Sequence, residues 1–244
     1  MIRTVGIVGY GSFGALLETL VKRFAPSVEV KIHSSRFAPD GKQFFALGEV
    51  AKCDVLLLAV PIHAFEETLT KVLPLMGDKT VIVDVATVKV HTTEILKRLA
   101  GDKKYIATHP MWGPESYEKT KGNIAGFRIV MVDGTLPTDQ YLQLQAFLKQ
   151  CGFVVVEMSA EQHDKHLAET LFLTHFVGQV VSSADFDRTE IDTVSFGHLM
   201  DAVESVKHDT ALFKDVYRFN PYCEEVLRRF EKAESEVHTL LKSE

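Results

Sequence analysis

A glycine-rich segment near the N-terminus constrains the fold of this chain more than any other feature of the sequence. The apolar run at residues 5–8 predicts a short strand that is buried on both faces. It leads directly into residues 9–14, which fit the pattern G-x-G-x-x-G, and residues 15–24 continue with apolar side chains at helical spacing. A strand, three glycines and a helix in this order are typical of the doubly wound parallel α/β sheet that binds dinucleotides, the Rossmann-type fold.

Each glycine of this loop has its own physical task. Gly9 permits a tight turn, Gly11 lets the backbone approach a pyrophosphate, and Gly14 lets the helix pack closely on the strand. The pyrophosphate is expected at the helix N-terminus, against the exposed N–H groups of Ser12 and Phe13. We therefore predict a dinucleotide site here. A loop that only needs positive φ is the alternative explanation of the glycines.

The composition limits the classes of partner. The 244 residues are 46% apolar and 25% charged, as in a globular protein of one large domain or two modest ones. A net charge of −6 argues against nucleic acid or an anionic membrane surface as the main partner. No apolar run approaches the ~20 residues that span a bilayer, and no signal peptide precedes the first strand. We therefore expect a cytoplasmic protein, or one of the plastid stroma if the source is a plant and the transit peptide is missing.

The three cysteines, Cys53, Cys151 and Cys223, are widely spaced and form no metal-binding pattern. We interpret them as buried or unreactive thiols in a reducing compartment. No metal site is predicted from the sequence.

The second predicted strand, residues 28–32, ends in a segment that bears on the choice of cofactor, His33-Ser34-Ser35-Arg36. In an NAD-binding fold, an Asp or Glu near this position holds the ribose 2′-hydroxyl. A carboxylate would repel a 2′-phosphate, whereas the hydroxyls of Ser34 and Ser35 and the guanidinium of Arg36 would bind it. The segment therefore favours NADP over NAD. Alternatively, Arg36 is only a solvated turn residue and His33 is a loose substitute for the acid.

Two further apolar strands are predicted at residues 54–61 and 81–85, with a helix between them. Alternation of strands and helices at this spacing predicts a parallel sheet with right-handed crossovers. Ligands of such sheets bind outside the carboxyl ends of the strands. This rule places Val60 and Pro61 beside the cofactor and Thr87 on the ligand rim. A helix-capping hydroxyl is the alternative role of Thr87.

A histidine, His109, ends the next predicted strand, and the loop after it contains two prolines, a glycine and the only tryptophan of the chain. This composition favours a rigid, irregular loop. An imidazole held at the carboxyl end of a strand is suited to general acid–base chemistry because it titrates near neutrality. Taken by itself, a single histidine is more often structural.

Separated segments of the chain together resemble the prephenate/arogenate dehydrogenase family, most closely its plant-type arogenate branch. In chain order these segments are Asp84–Lys89, Thr108–Glu115, Glu161–Asp164, Leu173–Phe176, and Phe213–Arg218 with Asn220 and Pro221 after it. The twelve-residue step from His163 to His175 also matches the family. Several motifs in order are more specific than any one alone, and the resemblance covers nearly the whole chain.

The resemblance implies oxidation of the ring carbinol of arogenate or prephenate, which are cyclohexadienyl compounds. Hydride passes to the nicotinamide, carbon dioxide leaves and the ring becomes aromatic, which gives tyrosine or 4-hydroxyphenylpyruvate. The plant-type loop favours arogenate, although the sequence does not identify the residues that meet the side-chain ammonium or keto group.

The resemblance also implies roles for single residues. His109 accepts the carbinol proton, a task that an unperturbed imidazole pKa of ~6.5 suits at neutral pH. Thr87, where the family usually has serine, keeps a hydroxyl for His109 or for the substrate. Arg218 matches a carboxylate-binding arginine, His175 a histidine that faces the substrate, and Trp112 a pocket wall that is often phenylalanine. The structural alternatives are a surface salt bridge for Arg218, a buried, hydrogen-bonded position for His175 and core packing for Trp112.

The domain boundary is predicted near Ser159, where Ser159 and Gln162 form a capping box. Residues 1–158 are expected to form the nucleotide-binding domain, and residues 159–244 an all-α substrate-binding and dimerisation domain. Three helices are predicted in the second domain, at 162–183, 191–207 and 222–241. The last helix has an apolar stripe too long for this piece to bury alone, and the resembled family forms dimers through such a domain. We expect a homodimer; packing within one subunit is the alternative.

Two other functions fit the same scaffold. One is another two-domain NADP reductase, of the β-hydroxyacid dehydrogenase or imine reductase type, which relies on a lysine or another polar group from the helical domain. The other is a non-catalytic NADPH-binding regulator, against which the set Thr87, His109, His175 and Arg218 argues. Turnover of arogenate or prephenate, but not of 3-hydroxy acids, distinguishes the family function from both.

Overall fold

The computed structural model describes residues 2–243, and the chain divides into two compact units between His163 and Asp164. The first unit is built on a sheet and the second is helical, which confirms the fold class predicted from the sequence. The sequence predicted a domain boundary between residues 158 and 159. In the structure, the first unit extends five residues further and includes the start of the helix Ala160–Leu167.

The first unit alternates strands with helices. Its elements are β1 (Thr4–Val8), α1 (Ser12–Phe24), β2 (Glu29–His33), α2 (Leu47–Val50), β3 (Val55–Leu58), α3 (Phe65–Val72), β4 (Val81–Asp84), α4 (Val90–Leu99), β5 (Lys104–Pro110), α5 (Pro114–Lys119), β6 (Arg128–Gly134), α6 (Thr138–Cys151) and β7 (Val154–Glu157). Helix α7 (Ala160–Leu167) begins in this unit and crosses into the second.

The seven strands form one sheet in the order β2-β1-β3-β4-β5-β6-β7. Neighbouring strands are parallel, as predicted, except β5 and β6, an antiparallel pair that the sequence did not indicate. The reason lies in the connection. Pro110 pairs with Ile129, and the Met111 N–H donates to the Arg128 carbonyl at 2.9 Å, so β6 starts at the edge where β5 ends.

Strand β1 is buried on both faces, as its apolar run predicted. Val5 and Ile7 pack with Leu17 of α1 in one core cluster. Val8 belongs to a second cluster, with Leu56 and other residues of the neighbouring strands and helices. Because helices cover both faces, the carboxyl ends of β1, β3, β4 and β5 meet at one accessible edge of the sheet.

The second unit consists of helices. After α7 come a π-helical segment (Ala168–Phe172), α8 (Leu173–Ser183), α9 (Val194–Val206), α10 (Thr210–Phe219) and α11 (Cys223–Lys242). Helices α8 and α9 pack closely at Gly178, where a Cβ would lie 2.4 Å from Val206 Cγ2. The π-helical segment interrupts the single helix predicted over 162–183, and α10 was not predicted.

The capping box at the start of α7 is confirmed in detail. The Gln162 N–H donates to Ser159 Oγ at 3.1 Å, and the Ser159 N–H donates to Gln162 Oε1 at 3.1 Å. The two side chains satisfy backbone donors that the first turn leaves without helical partners. The box therefore fixes where α7 begins.

All three cysteines are free thiols; Cys53 and Cys223 are buried and Cys151 is half-buried. Burial raises the pKa of Cys53 and raises that of Cys223 to about 12, so both remain protonated at neutral pH. Within residues 2–243, no helix is long and apolar enough to cross a membrane.

Candidate functional site

Two glycines of the first loop are required by close backbone contacts. Gly9 has φ = 100°, and a Cβ on it would lie 2.2 Å from the Ala59 carbonyl oxygen. A Cβ on Gly14 would lie 2.2 Å from the Gly9 carbonyl oxygen. Gly11 differs from both, since its φ is −80° and the nearest atom to a Cβ would be Arg36 Nη2, 4.0 Å away. No atom of the described residues therefore requires a glycine at position 11. A ligand that comes close to the backbone there would require one.

The N-terminus of α1 is suited to an anion. Gly11 occupies the N-cap position without a side-chain cap, and the first turn contains no acidic residue. The N–H groups of Ser12, Phe13 and Gly14 have no acceptor within the helix, and the helix dipole adds positive potential there. These features fit the pyrophosphate of a dinucleotide.

The loop after β2 brings Arg36 to the glycine loop. Its Nη2 donates to the Tyr10 carbonyl at 2.6 Å, and its backbone N–H donates to Ser34 Oγ at 3.2 Å. Ser34 is buried, while Ser35 and Arg36 are exposed. Arg36 is thus exposed but held at the glycine loop, and its contact with a cofactor stays a prediction. The ring of His33 lies elsewhere, with Nδ1 at 3.2 Å from the Phe45 carbonyl.

A polar network that the sequence did not suggest supports this loop. Glu18 of α1 is buried, and it accepts hydrogen bonds from Tyr10 Oη at 2.6 Å, Gln43 Nε2 at 2.9 Å and Lys22 Nζ at 2.6 Å. Desolvation opposes ionisation of Glu18, but these hydrogen bonds prevail and lower its pKa. The ionised carboxylate therefore joins the glycine loop to the segment that follows β2.

The rim residues predicted after β3 and β4 lie at the expected strand ends. Val60 follows β3, and its Cγ1 would be 3.1 Å from a Cβ on Gly9; the next residue, Pro61, is exposed. Thr87 is half-buried between β4 and α4. The N-cap residue of α4 is Lys89, so Thr87 does not have the N-cap position that was its structural alternative.

His109 forms a buried pair with a second histidine. It lies at the carboxyl end of β5, and its Nδ1 is 2.8 Å from Nε2 of His163 in α7. The two rings are 5% and 2% exposed and meet edge to face, with centroids 5.0 Å apart. Burial lowers the pKa of His109 well below 6.5, and the positive charges that His163 and Lys89 can carry lower it further. His109 is therefore a neutral imidazole at neutral pH, able to accept a proton.

A buried ion pair lies directly beside His109. Lys89 Nζ is 2.5 Å from Asp84 Oδ2 and donates to the Thr108 carbonyl at 2.7 Å, and both charged side chains are fully buried. Asp84 also accepts from Thr92 Oγ1 at 2.7 Å and from the Ala86 N–H at 2.7 Å. The pair thus connects the end of β4, the start of α4 and the residue before His109. In the sequence, Asp84 and Lys89 stood out only as the ends of a segment that resembles the dehydrogenase family, and their ion pair was not predicted.

Trp112 is packed in the core of the first unit. Its ring stacks on Phe127 and Phe153 with centroids 5.7 and 5.6 Å away, and Phe13 of α1 lies 5.8 Å away. Its Nε1 has no hydrogen-bond partner among the residues described. These contacts account for the indole by core packing, and a contact with substrate stays a prediction.

His175 and Arg218 lie on two helices of the second unit. His175 in α8 is buried and stacks on Phe213 with centroids 6.0 Å apart, and its Nδ1 has no partner in the described part of the chain. Burial lowers the pKa of His175, while Asp209 opposes the shift. Arg218 is exposed in the last turn of α10, with its guanidinium 5.2 Å from the Phe219 ring centre. Their predicted contacts with substrate remain predictions.

Across residues 2–243, no group of three His, Cys, Asp or Glu side chains is arranged to hold a metal ion.

The strand order, the glycine loop and the open N-terminus of α1 define a Rossmann-type nucleotide-binding domain, joined here to a helical unit. A family model described as the nucleotide-binding domain of prephenate dehydrogenase matches residues 42–157, and a model described as a TYRAAT1-like C-terminal domain matches residues 180–244. Over nearly its whole length the chain is similar to proteins of the prephenate/arogenate dehydrogenase family.

Individual relatives agree with this assignment. Arogenate dehydrogenase 1 of Arabidopsis thaliana, a chloroplastic protein, is 32% identical over 97% of this chain, which spans 39% of that relative's length. Arogenate dehydrogenase 2 of the same plant is 28% identical over 94% of the chain, which spans 67% of it. The crystal structure of Aquifex aeolicus prephenate dehydrogenase with hydroxyphenyl propionate and NAD+ has the same fold, with a TM-score of 0.77, 20% identity and coverage of 99% and 91% of the two chains.

Gly11→Ala and Gly14→Ala form a matched pair of variants. We expect Gly14→Ala to lose ~1–3 kcal/mol of unfolding free energy, because the new methyl group meets the Gly9 carbonyl. Gly11→Ala should stay within about 0.5 kcal/mol of wild type, yet bind the reduced nicotinamide dinucleotide about 10-fold or more weakly, a loss of ~1.4 kcal/mol. Urea unfolding and titration of the fluorescence of the reduced nicotinamide, with NADH and with NADPH, measure the two effects. Unchanged affinity in Gly11→Ala would contradict the site.

The Lys89–Asp84 pair predicts a non-additive double-mutant cycle. Lys89→Met should cost about 3–5 kcal/mol of unfolding free energy, because it leaves a buried carboxylate without its counter-charge. Asp84→Asn likewise leaves the buried ammonium of Lys89 without its counter-charge. The double variant should be more stable than the sum of the two losses by at least ~1 kcal/mol, as measured by chemical unfolding. Additive losses would show that the pair is not coupled.

Proposed function

We propose that this protein is an NADP-dependent dehydrogenase that oxidatively decarboxylates arogenate, or prephenate, to tyrosine or 4-hydroxyphenylpyruvate. The observation that carries the proposal is the neutral, buried imidazole of His109 at the carboxyl end of β5. It lies at the edge of the sheet where the glycine loop follows β1. Similarity to the prephenate/arogenate dehydrogenase family supplies the substrate class.

The residues at this edge fit a nicotinamide dinucleotide. The space at Gly11 and the unoccupied N–H groups of α1 suit its pyrophosphate. When bound, the nicotinamide supplies the acceptor for the hydride of the ring carbinol. The segment from His33 to Arg36 contains no carboxylate, and the Arg36 guanidinium lies at the glycine loop. Both facts support NADP over NAD, because a guanidinium binds a 2′-phosphate and a carboxylate repels it.

The chemistry assigned to His109 is removal of the carbinol proton. Its Nδ1 is engaged with His163, which leaves Nε2 for the substrate hydroxyl. As the carbinol C–H bond breaks, the O–H proton passes to Nε2 and the carbon becomes a carbonyl carbon. The bond to the ring carboxylate then breaks, its electron pair enters the ring, and carbon dioxide leaves. Loss of carbon dioxide and aromatisation supply the driving force, so His109 only has to move one proton.

Substrate recognition is assigned to residues carried over from the family resemblance. Thr87 supplies a hydroxyl for the substrate or for His109, Arg218 grips a carboxylate, and His175 contacts the substrate. Arogenate is favoured over prephenate because the two most similar relatives reported above are arogenate dehydrogenases of a plant.

The helical unit is proposed to form a homodimer. Ile191, Val194 and Leu241 are apolar and 85%, 78% and 77% exposed in the single chain. Burial of such side chains against a second copy of the chain would remove them from water, and most soluble oligomers are symmetric homo-oligomers.

Purified protein should oxidise arogenate with NADP, release carbon dioxide and form tyrosine, with a higher kcat/KM for arogenate than for prephenate. It should not oxidise 3-hydroxy acids, because they lack the cyclohexadienyl ring that arogenate and prephenate share. Initial rates from NADPH absorbance measure all three substrates side by side. Turnover of a 3-hydroxy acid alone would favour the other class of reductase.

His109→Asn is the control for this assay. It should lower kcat at least about 100-fold and leave NADPH binding within a few-fold.

The pH profile of the wild-type enzyme gives a second test. His109 acts as a base only when it is unprotonated, and its pKa is lowered, so kcat/KM should fall with decreasing pH only below 6.5. An acid limb at or above pH 7 would remove His109 as the base.

Arg36→Ala should weaken NADPH binding about 10- to 100-fold, the loss of one charge-assisted contact, and leave NADH binding nearly unchanged. Lys42→Ala is the matched control, because Lys42 is an exposed cation in the same loop. Fluorescence titrations with both cofactors measure the effect. Equal losses in the two variants would show that only the net charge of the loop matters.

A further inference from the structure

His163 contacts His109 through one nitrogen of each ring. The distance from His109 Nδ1 to His163 Nε2 is 2.8 Å, which is that of a hydrogen bond. Both rings are buried, so water cannot easily replace either partner. A buried imidazole nitrogen without a partner is costly, and the orientation of His109 therefore depends on this contact.

Two assignments of the shared hydrogen are possible, and they have opposite chemical consequences. A hydrogen bond between neutral imidazoles needs one N–H group and one lone pair. If His109 donates from Nδ1, its Nε2 carries a lone pair and can accept a proton. If His163 donates from Nε2, the hydrogen of neutral His109 is on its own Nε2, which then cannot act as a base.

In the first assignment, the hydrogen bond between the two rings is also kept when His109 takes up a proton. When Nε2 of His109 accepts a proton, Nδ1 already carries its hydrogen and continues to donate to His163. The hydrogen bond then stabilises the imidazolium without any change of partner, as a carboxylate or carbonyl does beside other basic histidines.

The location of His163 is fixed by the start of α7. The Ser159–Gln162 capping box ends one residue before it, and the His163 N–H donates to the Ser159 carbonyl at 2.9 Å. The histidine is thus in the first turns of a helix whose beginning is fixed by two reciprocal hydrogen bonds. From this backbone position, Nε2 of His163 reaches Nδ1 of His109 at the end of β5.

We propose that His163 is a positioning residue that holds His109 in the Nδ1–H tautomer and so makes Nε2 of His109 the catalytic base. The proposal rests on the function proposed above and adds to it the residue that selects the reactive nitrogen. His163 acts through His109.

Two substitutions separate this role from a purely structural one. His163→Gln places an amide oxygen near the position of Nε2, where it can accept from His109 Nδ1. His163→Leu keeps a side chain of similar bulk and removes the acceptor. His166→Leu is the matched control, because His166 is an exposed histidine on the same helix.

We expect His163→Leu to lower kcat about 100-fold with KM changed less than about 3-fold. His163→Gln should recover most of the loss, and His166→Leu should behave as wild type. Equal activity of His163→Leu and wild type, or equal losses in the Leu and Gln variants, would overturn the proposal.

Long-range ¹H–¹⁵N spectra of histidine-labelled protein without substrate measure the tautomer directly. Wild type should show His109 as Nδ1–H with an unprotonated Nε2, and His163→Leu should lose this preference. An Nε2–H tautomer in wild type would overturn the proposal even if the Leu variant failed to fold. Because this measurement needs no substrate, it stays decisive if the protein turns over neither arogenate nor prephenate, an outcome that would reject only the proposed function.

Discussion

The ammonium group of Lys89 has no contact with solvent, and the structure around the candidate site depends on how that charge is neutralised. A buried charge is tolerated only with a counter-charge and full hydrogen bonding. Asp84 supplies the counter-charge from the end of β4, and the Thr108 carbonyl supplies a further acceptor from β5. The requirement therefore fixes β4, α4 and β5 relative to one another, and His109 follows Thr108 directly.

The same exclusion of water acts on His109 in two ways. Desolvation disfavours the imidazolium, so the ring is neutral at neutral pH and can serve as a base. Desolvation also removes water as a hydrogen-bond partner, so the orientation of the ring depends on His163. A basic nitrogen with a defined direction thus arises from burial combined with one neighbouring acceptor.

Local patterns in the sequence predicted local structure well. Residues 9–14 form the turn and helix start that the three glycines indicated, and the hydrogen bonds of Ser159 and Gln162 are those of a capping box. The antiparallel pairing of β6 was missed, because the direction of a strand depends on where its connection crosses the sheet. The π-helical segment at Ala168–Phe172 was missed as well, since its apolar spacing is that of a continuous helix.

In the candidate site, the sequence identified only those residues whose type and position in the chain by themselves indicate a function. His109 at a strand end and Arg36 in place of an acid could be found in the sequence, whereas the contact with His163 joins residues 54 positions apart and depends on how β5 and α7 pack. Trp112 shows the same limit. Its neighbours Phe13 and Phe153 are distant in sequence, and the packing of the three rings joins the glycine loop to the loop after β5. The two loops share one packed cluster of rings. A substitution that changes the packing of Trp112 would therefore shift both the loop where the pyrophosphate is expected and the loop that follows His109.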